Sequence, residues 1–180
     1  MTTTPILYLF RNIKTSQVLV STQRNLIKDQ NRILRQITDV TVRPPRIRPD
    51  LWNPMVVATG FPSSTESQTL QTVLAQTSAP LKQPTEEEIK KHMLLPISKR
   101  KIIDMDMIES KIAHLCRALI YFKHTDSPIV KNDINLYWER PEYRDILNGS
   151  NLLWPEFVQH KQLELVRGNI ICNPELKRLS

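Results

Sequence analysis

From Val42 to Val57 the chain reads VRPPRIRPDLWNPMVV, with Pro44, Pro45 and Pro49 interleaved with Arg43, Arg46 and Arg48. Each proline fixes φ at about −65° and removes a backbone donor, so this segment is extended, cannot be helical, and has little entropy to lose on docking. Arginine supplies planar forks that pair with phosphate and stack on bases. Trp52 and the apolar residues Met55 to Val57 then lead into a strand. Two readings stand side by side: a solvated proline-rich linker, or a stiff cationic strip presented to a polyanion.

The 180 residues hold 13 Pro and only 3 Gly, so few positions take positive φ cheaply. Gly60, Gly149 and Gly168 are isolated, which excludes a glycine-rich phosphate loop. Net charge is +7, unevenly spread: residues 1–60 carry nine Lys/Arg against three Asp/Glu, residues 61–103 six against four, and residues 104–180 ten against eleven. The excess lies in the N-terminal third and favours a polyanionic partner there. Cys116 and Cys172 are far apart and read as core or incidental thiols of a reducing compartment. His92, His114, His124 and His160 are scattered without a second ligand at useful spacing, so no metal or cofactor is expected. No run approaches the ~18 apolar residues of a membrane span. The opening MTTTPILYLF matches neither a secretory signal nor an Arg-rich transit helix, leaving an internal or uncleaved organellar signal open.

Ile6 to Phe10 and Val18 to Val20 are short apolar runs around a polar turn and predict a β-hairpin. Between Asn25 and Gln36, Leu26, Ile27, Ile33, Leu34 and Ile37 recur at helical spacing with Arg24, Lys28, Arg32 and Arg35 on the other side, predicting an amphipathic helix with a cationic face. Thr38 to Val42 and Met55 to Thr59 are strand candidates. Leu70, Val73 and Leu74 predict a helix over 64–77, and a core of small sheet plus two helices would be complete there. A linker over 78–103 carries a short helix with Thr85 and Glu88 as capping box, ended by Pro96, then the basic knot Lys99-Arg100-Lys101. Over 104–180, a helix from Asp106 to Phe122, capped by Asp106 and Glu109, has a broad apolar stripe including Leu115 and Leu119. Ile134 to Trp138 is extended, and the tail from Leu163 to Ile171 is a short strand or strip. Tyr137, Trp138, Tyr143 and Trp154 read first as packing and second as base-stacking candidates. The fold class expected is therefore α+β: an N-terminal hairpin plus one or two strands with two packed helices, then a helical and extended C-terminal extension.

The stretches ILYLFRN, QVLVS, VRPPRIRPDLWNPMVVA, NLYWERP and HKQLELVRGNI, taken in order, resemble a fungal mitochondrial family described both as large-subunit ribosomal proteins and as mitochondrial homologous recombination proteins. The match is weakest across Phe61 to Asp104. The resemblance implies a matrix protein of the mitochondrial large ribosomal subunit, bound to ribosomal RNA and neighbouring ribosomal proteins, and, less transferably, a role with mitochondrial DNA in recombination or transcription. The candidate nucleic-acid contacts, chosen on charge, are Arg24, Lys28, Arg32, Arg35, Arg43, Arg46, Arg48, Trp52, Lys99, Arg100 and Lys101.

A fainter similarity links the hairpin and basic segment to the GIY-YIG nuclease core. Tyr8 matches the first motif tyrosine and Arg32 stands for the helix arginine. Leu19 replaces the second tyrosine, Ser21 the glycine, and Glu66 is the sole carboxylate from residue 51 through 85. Metal-assisted hydrolysis needs a held ion and an activated nucleophile. No catalytic residue is assigned and no nuclease activity is expected.

Overall fold

The computed structural model describes residues 4–76, 79–125 and 127–179. The two N-terminal apolar runs form the hairpin strands β1 (Leu7–Asn12) and β2 (Val18–Ser21), paired from Tyr8 opposite Ser21 to Arg11 opposite Val18. Asn12 organises the turn: its side chain accepts from the amides of Lys14 and Thr15. The following segment is less helical than its spacing suggests. Helix α1 covers only Gln30–Leu34, with turns on either side. The expected strand at 38–42 is a turn as well, because Asp39 accepts hydrogen bonds from the amide and hydroxyl of Thr41 and holds the backbone bent.

After a 3₁₀ turn at Pro49–Leu51, β3 (Trp52–Thr59) enters the sheet beside β1. Proline inside an inner strand lacks a ladder donor, and the chain places Pro54 at a bulge: Leu9 faces Val56, Phe10 faces Pro54, and Met55 is the extra residue. Gly60 ends the strand at φ +96°, its α-carbon against the backbone of Asp133, where a Cβ would collide.

Helix α2 (Ser64–Ala75) is capped by Ser63, and α3 (Glu86–Leu94) carries the expected capping box between Thr85 and Glu88. The expected end of the former at Thr77 and the linker start at Ser78 lie outside the described residues. The basic knot sits in a further helix, α4 (Ile97–Met105), for which Pro96 is the N-cap. The long helix α5 spans Ile108–His124. Met107 is the N-cap position and has no side-chain cap bond; Asp106, just before it, accepts from the Ile108 amide two residues on. A second 3₁₀ turn (Pro128–Lys131) leads to β4 (Ile134–Trp138), then α6 (Pro141–Asp145), β5 (Val158–Gln162), the two-stranded hairpin β6 (Leu165–Val166) and β7 (Ile170–Ile171), and α7 (Pro174–Lys177).

The main sheet has the order β2-β1-β3-β4-β5, antiparallel except for the parallel β4–β5 pair. It is α+β as expected, but larger. The core is not closed near residue 77, because β4 and β5 are strands of the same sheet and α5 packs beside α2 on the same face. Leu7, Leu9, Val18, Val20, Val56, Leu136 and Trp138 face these helices, meeting Leu70, Leu74, Ile112, Leu115, Cys116 and Leu119. The opposite face, with Tyr8, Phe10, Leu19, Val57 and Tyr137, is covered by Leu26, Ile33, Leu34, Ile37 and Ile47 of the arginine-bearing segment and by Leu163, Ile171 and Leu176 of the C-terminal tail. Burial on both faces is why the inner strands read as continuous apolar runs.

Edge strand β2 is closed by a side chain. The Gln36 amide both accepts from Val20 N at 2.9 Å and donates to Val20 O at 2.7 Å, imitating a neighbouring strand. No helix among the described residues is long and apolar enough to cross a membrane.

Candidate nucleic-acid interface

The cationic segment is a lid on one sheet face, and its apolar residues decide which way its charges point. Leu26, Ile33, Leu34 and Ile37 sink into the core, which turns Arg24, Lys28, Arg32 and Arg35 outward. In the proline strip, Ile47 is buried between exposed Arg46 and Arg48, and its amide is held by the Gln30 side chain at 3.3 Å. Gln17 donates to Val42 O at 3.0 Å. The strip is thus pinned at both ends and along its length, so its arginines are presented from a fixed surface and not from a tether.

The cations differ in how committed they already are. Arg43 is half-buried; its guanidinium donates to Ile37 O at 2.7 Å and Thr38 O at 3.4 Å, satisfying carbonyls just beyond α1. Arg48 bonds both oxygens of Asp50, holding that carboxyl below its ordinary value, and Arg32 lies 3.5 Å from Asp29. Among the described residues, Arg24, Lys28, Arg35 and Arg46 have no carboxylate partner. Arg35 and Arg43 share a shallow cleft with Pro44 and Pro45.

Trp52 is only 3% exposed and belongs to the core beneath the strip, with its ring unavailable as an open stacking platform. The aromatic group of β4 behaves likewise: Tyr137 and Trp138 are buried, and Trp138 meets Trp154 edge-on at 5.5 Å and donates from Nε1 to His160 Nδ1 at 3.0 Å.

The second basic group arrives from elsewhere in the chain. Lys99 and Lys101 are exposed on α4, and Lys101 acts on the Asp39 carboxyl, whose value is lowered first by the Thr41 hydroxyl bond and then, among smaller causes, by this charge. Arg100 turns inward to α3, with Nη1 3.7 Å from Met93 Sδ. One cation was not singled out from sequence: Lys14, exposed in the β1–β2 turn, contributes to the lowering of Asp50 beside Arg48. The Ile13 amide bonds Leu51 O at 2.9 Å and so fixes that turn against the strip. A hairpin turn followed by a returning strand is the signal that could have found it.

Outward charge on a pinned lid spans one continuous stretch of sequence, and that stretch is what relates the chain to known proteins. Residues 4–88 match the family Mhr1, transcriptional regulation of mitochondrial recombination. The Mhr1 match takes in β1, β2, the whole cationic lid, β3 and α2, and ends within α3. Arg24 through Trp52 lie inside it; Lys99 to Lys101 and strands β4 and β5 lie outside. The Mhr1 description names recombination and transcription, and supports that half of the resemblance drawn from sequence; it does not name the ribosome. No curated protein matches the chain.

Proposed function

We propose that the chain is a mitochondrial nucleic-acid-binding protein that acts with mitochondrial DNA in recombination or its transcriptional regulation, gripping the backbone through phosphate contacts from the 24–48 lid. The observation that carries the proposal is the pinned lid itself: buried Ile47 sets Arg46 and Arg48 outward, and Arg24, Lys28 and Arg35 stand without carboxylate partners among the described residues. Such contacts position a duplex and make affinity salt-dependent without reading bases. The burial of Trp52 and of the β4 aromatics favours this mode over base stacking.

The chain is a binding protein and not an enzyme on this reading. Glu66, the sole carboxylate from residue 51 through 85, is engaged with the Ser63 hydroxyl at the start of α2.

A second reading, a structural protein of the mitochondrial large ribosomal subunit bound to ribosomal RNA and neighbouring proteins in the matrix, is favoured by the α3–α4 pair. Neither helix buries a side chain fully, and Met93, Leu94 and Ile97 are 63, 85 and 66% exposed beside Lys99 and Lys101. A surface both apolar and basic suits a surround of protein and RNA. Fractionation decides between them: recovery with mitochondrial DNA after a high-salt wash supports the first, and stoichiometric co-sedimentation with large subunits after the same wash supports the second.

A further inference from the structure

Helices α3 and α4 run antiparallel, locked by two contacts: His92 Nε2 lies 2.8 Å from Asp104 Oδ1, and Arg100 Nη1 lies 3.7 Å from Met93 Sδ. The pair has two different sides. Asp104 and Met105 border a cleft with Thr38 and Asp39, and Lys101 acts on the Asp39 carboxyl, so this side faces the body of the fold. Met93 and Arg100 meet on the other. Ile89 precedes Met93 by one helical turn and Ile103 follows Arg100 by one turn. Because the helices run in opposite directions, both steps lead the same way along the pair, and Ile89 comes level with Ile103.

Ile89, Met93 and Ile103 are 49, 63 and 53% exposed, so the outward side carries a contiguous apolar patch. A patch of this kind edged by charge marks a protein contact. Its two ends carry opposite signs. Glu86, one turn before Ile89, stands at the open end of the pair, and Arg100 stands toward the turn that joins the helices. Neither is in an ion pair among the described residues. Arg100 Nε is buried without an acceptor, which leaves a fixed donor unsatisfied at the edge of the patch. The acidic end disfavours a nucleic acid or an anionic lipid surface as occupant. Rotated by 180°, the stripe of acid, apolar residues and cation is complementary to itself, which is what a twofold interface requires.

We propose that the chain self-associates through this side of α3 and α4 as a twofold dimer. Ile89, Met93 and Ile103 of one copy pack on the same residues of the second, and Glu86 of each copy pairs with Arg100 of the other. The contact gives Arg100 the acceptor it lacks. Each helix has nine residues and is about 14 Å long, so the interface is small and the dimer exchanges with monomer. The patch points away from the body, which leaves the cationic lids of both copies open. The inference does not depend on what those lids bind.

Sedimentation velocity of the full chain across the micromolar range tests it, with the variants Met93→Gln/Ile103→Gln, Glu86→Arg and Arg100→Glu. Wild type should show a concentration-dependent monomer–dimer equilibrium, and Met93→Gln/Ile103→Gln should stay monomeric at an unchanged melting temperature, since both side chains are exposed. Each charge reversal alone places like charges together at both ends of the patch and should weaken the dimer by about tenfold. An equimolar mixture of Glu86→Arg with Arg100→Glu should associate about as tightly as wild type, because in the mixed dimer both contacts again join opposite charges.

A wild-type chain that stays monomeric overturns the proposal, and if it is at the same time retained on large ribosomal subunits, the patch belongs to a neighbour there. Association unaffected by Met93→Gln/Ile103→Gln places the dimer contact elsewhere and also overturns it. A mixture of the two reversed variants no tighter than either alone contradicts the twofold pairing of Glu86 with Arg100.

Discussion

Arg11 in β1 and Glu139, the residue following β4, hold each other through two charge-assisted hydrogen bonds of 2.6 and 2.7 Å, across the end of β3 that separates their strands. Both side chains are nearly buried, at 11 and 13% exposure. The Glu139 amide also donates to Met55 O at 2.9 Å, so the pair is seated at the bulge in β3 and ties the family-matched N-terminal half to the strands beyond it.

That geometry predicts a large penalty for breaking one side. Arg11→Met or Glu139→Gln alone should cost about 3–5 kcal/mol, since a buried charge is left without its partner. The double variant Arg11→Met/Glu139→Gln should cost clearly less than the sum. Denaturant unfolding of the four proteins measures the coupling, and additive costs would mean that the pair is not a unit.

Lys111 is fully buried on α5, and its ammonium donates to Leu74 O and, at 2.7 Å, to Gln76 O at the C-terminal end of α2. Burial pushes it down to about 8 from the ordinary 10.5. Between these values the unfolded chain binds the proton that the folded chain has released, so stability rises with pH in that window, by up to about 3 kcal/mol. The stability of wild type relative to Lys111→Met should therefore increase from pH 8 to 10, as followed by urea unfolding. Parallel curves would contradict the assignment.

His160 Nδ1 accepts from Trp138 Nε1, which fixes a neutral ring. Burial lowers its value, with Arg144 adding to the effect and Asp145 opposing it. Below about pH 6.5 the unfolded chain takes up a proton that the folded chain refuses, so stability falls as the solution is acidified. His160→Gln keeps an acceptor for the indole and should lose part of this acid sensitivity in thermal melts at pH 7 and 5; His114, also lowered by burial, accounts for a remainder.

Leu115 and Leu119 sit in the centre of the helix-covered face with no exposure. Replacing either by Ala should lower stability by about 2–5 kcal/mol. Arg43→Gln should also lower stability, because Ile37 O loses its donor, whereas Arg46→Gln should leave melting unchanged and reduce only nucleic-acid affinity. A melt of the two arginine variants separates structural from binding arginines within one strip.

Much of the fold was legible because its strands are apolar on both faces: LYLF, VLV, MVVAT and INLYW all stand out, as do the stripe of α5 and the Thr85–Glu88 capping box. What was not legible depends on partners distant in sequence. Strand β5 is polar along its length, Val158 being its one buried residue, since it is an edge strand satisfied by pairing with β4. Lys111 looks like a polar-face residue until α2 brings two carbonyls to it. Arg43 and Trp52 share the composition of a binding strip, yet one holds the backbone and the other packs beneath it. The outward set of Arg24, Lys28, Arg35 and Arg46 was visible as charge, and the alternation around Ile47 shows why it is displayed.

The salt dependence of nucleic-acid binding tests the lid most directly. Affinity for a short duplex is to be measured by anisotropy across a range of salt for the wild type and for Lys28→Gln/Arg35→Gln/Arg46→Gln, three exposed cations without carboxylate partners among the described residues. Each lost phosphate contact should reduce the slope of log affinity against log salt by ~0.9, so the triple variant should bind more weakly and with a slope shallower by roughly 2–3. An unchanged slope in a variant that folds normally would contradict the lid as the nucleic-acid interface.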